Sequence, residues 1–576
     1  MPSLSPPPTS SSTAPSHPVP PLAWSVRSLT WLLAGWLATA GNLPLWQQVW
    51  ALPEVGGLRG ALFIAGFGVL VFGLLTATLA LCAWPRAFKP MAVLALLSAA
   101  GASHFMREYS TVIDPSMLLN VIHTDAREVR DLLSPGLLWT LLWVGVAPSV
   151  WLWRQPVAWQ QPKTGGWKPW LGWAGKRLLR NLGLIALGLA LGAAALMAIF
   201  QDFASVMRNH KQVRYLINPL NSFYAVTSAT LASAPHATKP LLPIGEDARL
   251  GPTYAPQARP LLLVMVVGET ARAANFSFNG YPRQTTPLLA ELARTDGLLW
   301  FGNTRSCGTN TQASVPCMFS HHGKQAHEAS KDRYENLVDV LQRAGLAVTW
   351  IDNQSGCKGV CDRVPNINTR EGSDPQLCPG GECLDGIMLK TLPEQLKALP
   401  ADARQRGTVV VFHQMGNHGP AYFKRSPASH KAFQPECTQN ALQACAREEV
   451  VNAYDNALRY TDQVLADTIA WLKTQDADTG LIYMSDHGES LGENNLYLHG
   501  LPYAIAPDEQ KQVPWVTWLS PALKKRLNLD DACLRTLGER AWSHDNLFHS
   551  LLGLADVQTQ VYQAAMNAFG TCTRSQ

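Results

Sequence analysis

The first 23 residues of this 576-residue chain contain no lysine and no arginine. That absence excludes the basic amino-terminal part of a secretory signal peptide. The segment is rich in proline and serine, so we expect a disordered tail over residues 1–23. Cysteine is nearly missing from the first 300 residues, where Cys82 stands alone in an apolar stretch. We interpret Cys82 as a small buried hydrophobic residue.

Long apolar runs dominate residues 29–200, and the composition of a soluble protein follows them. A helix needs roughly 20 apolar residues to cross a bilayer. We therefore predict a domain of five transmembrane helices within residues 24–200. The third stretch is the shortest and contains His104. The predicted spans are Leu29–Val49, Ala61–Trp84, Met91–Phe105, Leu137–Trp153 and Leu182–Phe200.

Lysine and arginine are distributed unequally between the two sides of these predicted spans. With a cytoplasmic amino terminus, nine basic residues lie inside and four lie outside, which favours this orientation. Five crossings then place everything after Phe200 outside the cytoplasm. The nine are Arg27, Arg86, Lys89, Arg154, Lys163, Lys168, Lys176, Arg177 and Arg180, and the four are Arg59, Arg107, Arg127 and Arg130.

Ten of the eleven cysteines follow residue 300, and most form couples that are close in sequence. Such couples suit disulfide bonds in an oxidising compartment. Zinc binding is the alternative for the four cysteines between residues 357 and 383, whose spacing is loosely suitable. The predicted disulfides are Cys307–Cys317, Cys357–Cys361, Cys378–Cys383, Cys437–Cys445 and Cys533–Cys572.

Short apolar runs alternate with helical patterns beyond a predicted connector at residues 201–258. The run Leu261–Val267 is continuous, as expected for a strand buried on both faces of a sheet. The alternation predicts an α/β domain with a mostly parallel sheet over residues 259–576. Further strands are predicted at Ala347–Ile351, Thr408–Phe412 and Leu481–Met484, and helices at Asn336–Ala344 and Glu448–Leu472.

Metal-capable side chains follow three of these predicted strands. Open α/β sheets build their sites outside the carboxyl ends of the strands, so these side chains could converge. Each residue alone has an ordinary structural explanation, such as a helix cap or a buried hydrogen bond. An acid beside an imidazole, as in "MSDHGE", is a good beginning for a zinc or manganese site. The candidates are Glu269, His413, His418, Asp486, His487 and, twelve residues further on, His499.

The stretch "CGTNTQASVPC" places a loop rich in Thr and Ser between Cys307 and Cys317. A threonine hydroxyl is a poor nucleophile at neutral pH, but a metal ion can lower the pKa of a coordinated alcohol as it does that of water. A disulfide would hold such a hydroxyl at the metal. In the alternative interpretation, Thr309, Thr311 and Ser314 cap turns in a small disulfide loop. The residue chemistry does not choose between Thr309 and Thr311.

Six segments together resemble the lipid A phosphoethanolamine transferases, the family that includes the mobile colistin-resistance enzymes. The resemblance extends from Leu29 to about Leu554 and implies five transmembrane helices followed by a periplasmic α/β/α domain of the alkaline phosphatase/sulfatase type. It also implies transfer of phosphoethanolamine from phosphatidylethanolamine to a phosphate of lipid A. The segments are "IDPSMLLNVIHTDAREV", "VVGETARAANFSFNGYPRQTTPLL", "SCGTNTQASVPCMFS", "DNQSGCKGVCDRV", "HQMGNHGPAY" and "YMSDHGESLGENNLYLHGLPYAIAP".

The resemblance also implies roles for individual residues. Thr311 would be the nucleophile and, with Glu269, Asp486 and His487, would bind one zinc ion. A second zinc ion is an alternative to phosphate binding at His418 and His499, and we group His413 with them. Lys358 matches a lysine that contacts phosphate. We expect a monomer in the inner membrane of a Gram-negative bacterium, with its catalytic domain in the periplasm, that binds no nucleic acid.

A segment between the third and fourth spans, near residues 115–132, reads as an amphipathic helix. Asn120, Thr124 and Glu128 recur at every fourth residue and therefore share one helix face. Spacing alone favours an ordinary helix on the membrane surface. The resemblance instead implies that these three residues bind the donor lipid.

Three other functions compete with this interpretation. A sulfatase needs a Cys-x-Pro/Ala-x-Arg stretch, and neither Cys307 nor Cys317 begins one. A glycerophosphate polymerase has a similar layout, but "GETAR" and "HGPAY" disfavour it. A non-catalytic envelope sensor would not need both the metal ligands and the nucleophile. The acceptor could also be a core sugar of lipopolysaccharide or another envelope glycan.

Overall fold

The computed structural model describes residues 23–53, 55–122, 129–130, 132–159, 167–237, 239–255 and 258–574. Residues 1–22 of the predicted tail lie outside these ranges, and so do Thr124 and Glu128. The described chain has an amino-terminal helical region and a carboxyl-terminal α/β domain.

Nine helices make up the described amino-terminal region. The predicted first span is two helices, because a 3₁₀ turn at Ala40–Asn42 interrupts it and a new helix with Pro44 in its first turn begins at Leu43. The helix after residue 135 contains a π-helical segment, Leu141–Val146. The helices are α1 Val26–Thr39, α2 Leu43–Trp50, α3 Gly57–Leu81, α4 Phe88–Tyr109, α5 Pro115–Ile122, α6 Pro135–Arg154, α7 Trp167–Ala198, α8 Phe200–Asn209 and α9 Leu220–Ala237.

Three of these helices are long and apolar enough to cross a membrane, among the residues described: α3, α6 and α7. They coincide with the second, fourth and fifth predicted spans. Helix α4 is 22 residues long but carries Lys89, His104 and Arg107, and α1 has only 14 residues. The count of five spans therefore remains a prediction.

Helices α3 and α7 approach closely because glycines face each other across their contact. A Cβ atom added at Gly188 would lie 2.7 Å from the carbonyl oxygen of Gly73. Gly192, one turn further along α7, faces Leu70 of α3. Small residues at such positions let two helix backbones pack at short range, as in other membrane helix pairs.

The α/β domain is built on one sheet of eight strands. Its order is β8–β2–β7–β6–β1–β5–β3–β4, and β7 alone runs antiparallel to its neighbours. The strands are β1 Leu261–Gly268, β2 Leu299–Arg305, β3 Ala347–Asp352, β4 Asn366–Asn368, β5 Gly407–His413, β6 Asp478–Ser485, β7 Gln512–Leu519 and β8 Trp542–Ser543.

Two hydrophobic clusters cover the two faces of this sheet, and strand β1 contributes to both. Leu261, Leu263 and Met265 belong to one cluster, whereas Leu262 and Val264 belong to the other. This alternation confirms the predicted strand that is buried on both sides. The helices of this domain are α10 Pro287–Thr295, α11 Thr311–Met318, α12 Lys324–Ala329, α13 Leu337–Arg343, α14 Gly386–Ala398, α15 Ala401–Arg406, α16 Arg447–Lys473, α17 Pro521–Arg526, α18 Asp531–Thr536 and α19 Leu547–Leu554.

All five predicted cysteine pairs are disulfide bonds in the structure. The four cysteines between residues 357 and 383 are therefore not zinc ligands. Cys82 is a free thiol and is only half-buried, not fully buried as expected.

The helical region and the α/β domain are joined by direct contacts at the end of α4. The Gln443 amide donates to the Arg107 carbonyl (3.0 Å), and the Ser110 hydroxyl donates to the Asn495 carbonyl (2.8 Å). Within the helical region, the Asn42 side chain accepts from the Asn218 backbone N–H and donates to the Asn218 carbonyl, both at 2.7 Å. Asn42 therefore fixes the segment after α8 to the turn between α1 and α2.

The glycine contact between α3 and α7 gives a first prediction. Gly188→Ala should destabilise the helical region by about 1–3 kcal/mol, because the new methyl group would overlap a backbone oxygen that cannot move alone. Gly175→Ala is the matched control, since an added Cβ there meets nothing within 4 Å. Thermal unfolding of the detergent-solubilised protein is the measurement. Equal midpoints for the two variants would contradict the proposed close packing.

Candidate active site

The carboxyl ends of three neighbouring parallel strands bring the predicted site residues together. Glu269 follows β1, His413 ends β5, and Asp486 and His487 follow β6. Because β1 lies between β5 and β6, their ends meet at one edge of the sheet. All of these side chains are fully buried.

Three of these residues form a compact cluster. The ligand-capable atoms of Glu269, Asp486 and His487 all lie within 4.8 Å of one another. His487 Nε2 lies 3.4 Å from Glu269 Oε1 and 3.4 Å from Asp486 Oδ2. Thr311 Oγ1 completes the group, at 3.2 Å from Glu269 Oε2 and 3.4 Å from His487 Nε2.

The loop between Cys307 and Cys317 orients Thr311 toward this cluster. Asn310 caps α11 by accepting from the Ala313 N–H (2.9 Å), so Thr311 is the first residue of the helix. The Thr309 hydroxyl instead donates to the Leu501 carbonyl (2.6 Å), and Ser314 Oγ accepts from the Gly308 N–H (2.9 Å). Thr309 and Ser314 therefore hold the loop, and Thr311 alone of the three faces the cluster.

Backbone groups fix the orientation of the cluster side chains. Asp486 Oδ1 accepts from the backbone N–H groups of Thr270 (3.2 Å) and His487 (2.7 Å). His487 Nδ1 lies 2.9 Å from the Gly488 carbonyl oxygen, which fits a proton on Nδ1. That tautomer leaves a lone pair on Nε2 directed at the two carboxylates.

The cluster contains an excess of buried negative charge. Burial raises the pKa of Asp486, and the Glu269 carboxylate raises it further, to about 7. Burial lowers the pKa of His487, but Asp486 and Glu269 outweigh this effect and raise it to about 9. The close approach of two buried carboxylates contributes to both shifts, because it favours a cation in the cluster. Without a metal ion, a proton has to supply that positive charge.

The residues of this cluster fit a divalent metal ion. Asp486 Oδ2 is buried and has no hydrogen-bond partner. Such an atom is costly unless a ligand satisfies it. The ligands of a tetrahedral ion with bonds of about 2.0–2.1 Å lie roughly 3.3 Å apart. The separations of Thr311 from Glu269 and His487, and of His487 from Glu269 and Asp486, are 3.2–3.4 Å and match that spacing.

Comparison with known proteins explains the combination of this cluster with a helical membrane region. A family model described as phosphoethanolamine transferase EptA/EptB matches residues 71–233, and one described as sulfatase matches residues 262–557. The chain is 40% identical to the phosphoethanolamine transferase EptA of Escherichia coli (strain K12) over 557 residues, which cover 96% of this chain and 98% of that protein. This chain belongs to the phosphoethanolamine transferase family.

Two further relatives of the transferase support this family assignment. Phosphatidylethanolamine transferase Mcr-1 of Escherichia coli is 37% identical over 537 residues, covering 91% of this chain and 94% of that protein. The solved structure of the integral membrane protein lipooligosaccharide phosphoethanolamine transferase A from Neisseria meningitidis aligns with a TM-score of 0.87 at 35% identity, covering 95% of this chain and 99% of that one. The transferase is thus a membrane protein with a sulfatase-type soluble domain.

The three other predicted histidines lie around the cluster in the transferase. The His499 ring stacks on His487 at 4.2 Å between centroids, and His418 meets His499 edge-on at 5.8 Å. His413 Nδ1 is 2.9 Å from Asp352 Oδ2, and its Nε2 is buried without a hydrogen-bond partner. The sequence-based grouping of these histidines with the cluster agrees with their positions.

Lys358 makes its hydrogen bonds with Ser355, which is not a residue of the cluster. Its ammonium donates to Ser355 Oγ (2.8 Å), and it lines a cavity of about 500 Å³ on the side of α11 that carries the Cys307–Cys317 disulfide. Its phosphate-binding role stays a prediction. Asn120 lies elsewhere, in a cavity that it shares with His418 and His499.

Gln354 is a site residue that sequence reasoning missed. Its amide nitrogen donates to Glu269 Oε2 at 2.8 Å, and its side chain is buried. Gln354 follows β3 at the same sheet edge as Glu269 and Asp486. The rule that found those residues would also have found Gln354 if it had been applied to amides as well as to metal-capable side chains.

The cluster geometry gives a second prediction, for metal content. Removing a residue that supports a ligand costs roughly 10–100-fold in metal affinity, and we expect that loss for Gln354→Ala. Glu269→Gln and Asp486→Asn should lose more, because each removes a ligand charge. Metal content by elemental analysis after competition with a chelator is the measurement.

Asp462→Asn is the control for this series. Asp462 is buried in the same domain, but it accepts from the backbone N–H groups of Leu288 and Leu289 at the start of α10. Its substitution should leave the metal content unchanged. Wild-type metal retention by both Glu269→Gln and Asp486→Asn would refute the proposed centre.

Proposed function

We propose that this transferase moves phosphoethanolamine from phosphatidylethanolamine to a phosphate of lipid A, through a covalent intermediate on Thr311. The observation that carries the proposal is the position of Thr311 Oγ1 within 3.2–3.4 Å of Glu269 and His487 in a buried, negatively charged cluster. Zinc is the metal that this mixed oxygen and nitrogen ligand set suits. One ion is expected, with a second at His418 and His499 as the alternative.

The chemistry consists of two displacements at phosphorus. A zinc ion held by Glu269, Asp486 and His487 would lower the pKa of the Thr311 hydroxyl. Thr311 Oγ1 loses its proton and bonds to the donor phosphorus, while the bond from phosphorus to the diacylglycerol oxygen breaks and that oxygen takes up a proton. An oxygen of the acceptor phosphate attacks the same phosphorus in the second step and releases Thr311. His499 and His418 adjoin the cluster, and we expect them to hydrogen-bond the phosphoryl oxygens.

A cavity of about 310 Å³ between the helical region and the catalytic domain suits the donor lipid. His418 and His499 line one part of it, and apolar side chains of the membrane helices line another. A phospholipid head group and its glycerol end have the same division between polar and apolar parts. Asn120 is also in the lining. The apolar residues of the lining include Phe105, Tyr109, Ile113, Met117, Val121, Leu132 and Leu137.

The substrates and the disulfides support a periplasmic catalytic domain. Five disulfide bonds in the catalytic domain suit the periplasm, where phosphatidylethanolamine of the outer leaflet of the inner membrane is accessible. The nine-to-four distribution of basic residues supports a cytoplasmic amino terminus and an odd number of spans. We propose that α1 with α2, and α4, supply the two spans beyond the three that length and composition identify.

The third prediction tests the nucleophile. Thr311→Ala should reduce transfer by roughly a thousandfold or more, because the reacting oxygen is absent. Metal content should fall less than in Glu269→Gln or Asp486→Asn, because the variant loses a neutral ligand and no ligand charge, and thermal stability should change little. Thr309→Ala is the matched control, and it should weaken the anchoring of the loop without removing the nucleophile. Mass spectrometry of lipid A from a sensitive Gram-negative host, together with the intact mass of the enzyme after donor addition, is the measurement.

The same experiment tests the type of reaction and the identity of the acceptor separately. A phosphoethanolamine adduct on the wild-type enzyme and unmodified lipid A would place the transfer on core sugars or another glycan. Near wild-type modification of lipid A by Thr311→Ala would refute the mechanism. Because each added ammonium offsets negative charge on lipid A, wild-type expression should also raise polymyxin tolerance.

The fourth prediction tests the donor cavity. Asn120→Ala should lower transfer from phosphatidylethanolamine in a bilayer by about tenfold, because the loss of one hydrogen bond to a charged group costs roughly 1.5 kcal/mol. Release of phosphoethanolamine from a water-soluble aryl ester by the same full-length variant should stay normal. Asn209→Ala, at an exposed position at the end of α8, is the control. Equal losses with both substrates would assign Asn120 a structural role.

A further inference from the structure

The membrane-proximal sequence has an uneven distribution of acidic residues that the transfer reaction does not explain. Residues 1–53, 82–107 and 132–201 contain no aspartate and no glutamate. All nine basic residues assigned above to the cytoplasmic side fall in these three segments. Basic side chains on that side of the helical region therefore have no nearby acidic residue in sequence to neutralise them.

Three of these arginines line one cavity. It has a volume of about 460 Å³, within the roughly 300–1,000 Å³ typical of ligand pockets, and lies between the start of α1 and the first half of α7. Its lining contains no carboxylate among the residues described. The lining residues are Ser25, Val26, Arg27, Ala158, Arg177, Arg180, Asn181, Gly183, Leu184 and Leu187.

Arg177 forms the fixed part of this cavity. It is buried, and its Nε and Nη2 donate to the Ala83 carbonyl at 2.9 and 2.7 Å. Its guanidinium also lies over the Trp159 ring at 5.0 Å. Asn181 Nδ2 donates to the same Ala83 carbonyl at 3.2 Å. These contacts hold a positive charge in place without neutralising it.

The cavity changes from polar to apolar along α7. Arg177, Arg180, Leu184 and Leu187 follow one another at intervals of three or four residues, so they share one face of the helix. Arg27 and Arg180 are exposed at its polar end. A molecule that fills this cavity therefore needs an anionic end and an apolar end.

Tryptophans mark the level of the cavity in the membrane. The Trp84 and Trp173 rings lie 6.4 Å apart, and those of Trp24 and Trp151 lie 5.8 Å apart, beside the ends of the helices that form it. Such aromatic belts lie at the level of lipid head groups. Because α4 runs from this end to its contact with the catalytic domain at Tyr109, the cavity is at the opposite end of the helical region from the active site.

We propose that this cavity binds the head group of an anionic glycerophospholipid with a single phosphodiester, of the phosphatidylglycerol class. Its phosphate would pair with Arg27, Arg177 and Arg180, and its acyl chains would lie along Leu184 and Leu187. A zwitterionic lipid fits poorly, because its ammonium would face three guanidinium groups. This lipid is therefore neither the donor nor the acceptor of phosphoethanolamine. Its role is structural, because it contacts both the start of α1 and α7 and so holds them together.

The test uses the full-length protein in a neutral detergent and a variant that keeps the buried contact of Arg177. Short-chain phosphatidylglycerol, short-chain phosphatidylethanolamine and inorganic phosphate are added separately, and binding is followed by native mass spectrometry and thermal unfolding. Each basic residue near a membrane surface contributes roughly fivefold to anionic lipid binding. The double variant Arg27→Gln with Arg180→Gln should therefore bind phosphatidylglycerol roughly 30-fold more weakly than wild type.

The matched control is Lys176→Gln with Arg154→Gln, which removes two exposed basic residues from the same side of the membrane but outside the cavity. It should bind phosphatidylglycerol as the wild type does. Equal weakening in the two double variants would overturn the proposal in favour of a diffuse charge effect. Equal stabilisation by phosphatidylethanolamine, or by inorganic phosphate alone, would also overturn it.

Discussion

The catalytic domain depends on one electrostatic constraint: two buried carboxylates lie together at one edge of its sheet and need a cation between them. Glu269 and Asp486 lie at the ends of adjacent parallel strands, and within the described residues of the cluster the only basic group is the His487 imidazole. Such an arrangement is unstable unless a cation is bound between the carboxylates. The backbone N–H groups that orient Asp486, the Gln354 amide on Glu269 and the Gly488 carbonyl beside His487 all hold this charged group in position.

A lipid substrate adds a second requirement, because its reacting phosphate must reach a site in a soluble domain. The contacts at the end of α4 keep the catalytic domain against the helical region, so the cavity between them has walls from both. His418 and His499 connect that cavity to His487 through ring contacts. The interface between the helical region and the catalytic domain therefore both holds the active site near the membrane and forms the cavity that leads to it.

The sequence predicted the centre of the sheet well, because β1, β3, β5 and β6 are short apolar runs in a fully buried parallel sheet. Strand β7 lacks that clear signal because it contains Pro514, and its pairing with β2 shifts register between Val513 and Trp515. A proline in a strand disfavours a strand prediction unless a bulge accommodates it.

Prediction of the site was limited in a similar way. Strand-end position identified Glu269, Asp486 and His487, but residue chemistry could not separate Thr309 from Thr311. Only the tertiary contact of Thr309 with the Leu501 carbonyl distinguishes them. Gln354 was not predicted as a site residue, because an amide that orients a metal ligand has no distinctive sequence motif. The first predicted span divides into two helices because of the turn at Ala40–Asn42, which the apolar composition conceals.

The position of Thr311 as the first residue of α11 has an electrostatic consequence. Helix N-termini present unpaired backbone N–H groups and the positive end of the helix dipole, an environment that stabilises anions by roughly 0.3–1 kcal/mol or more. A phosphoryl group carried on Thr311 would bring negative charge to that end of the helix. The same backbone that orients the hydroxyl would thus stabilise the proposed anionic intermediate more than the neutral alcohol, so the helix start would favour phosphoethanolamine bound to Thr311.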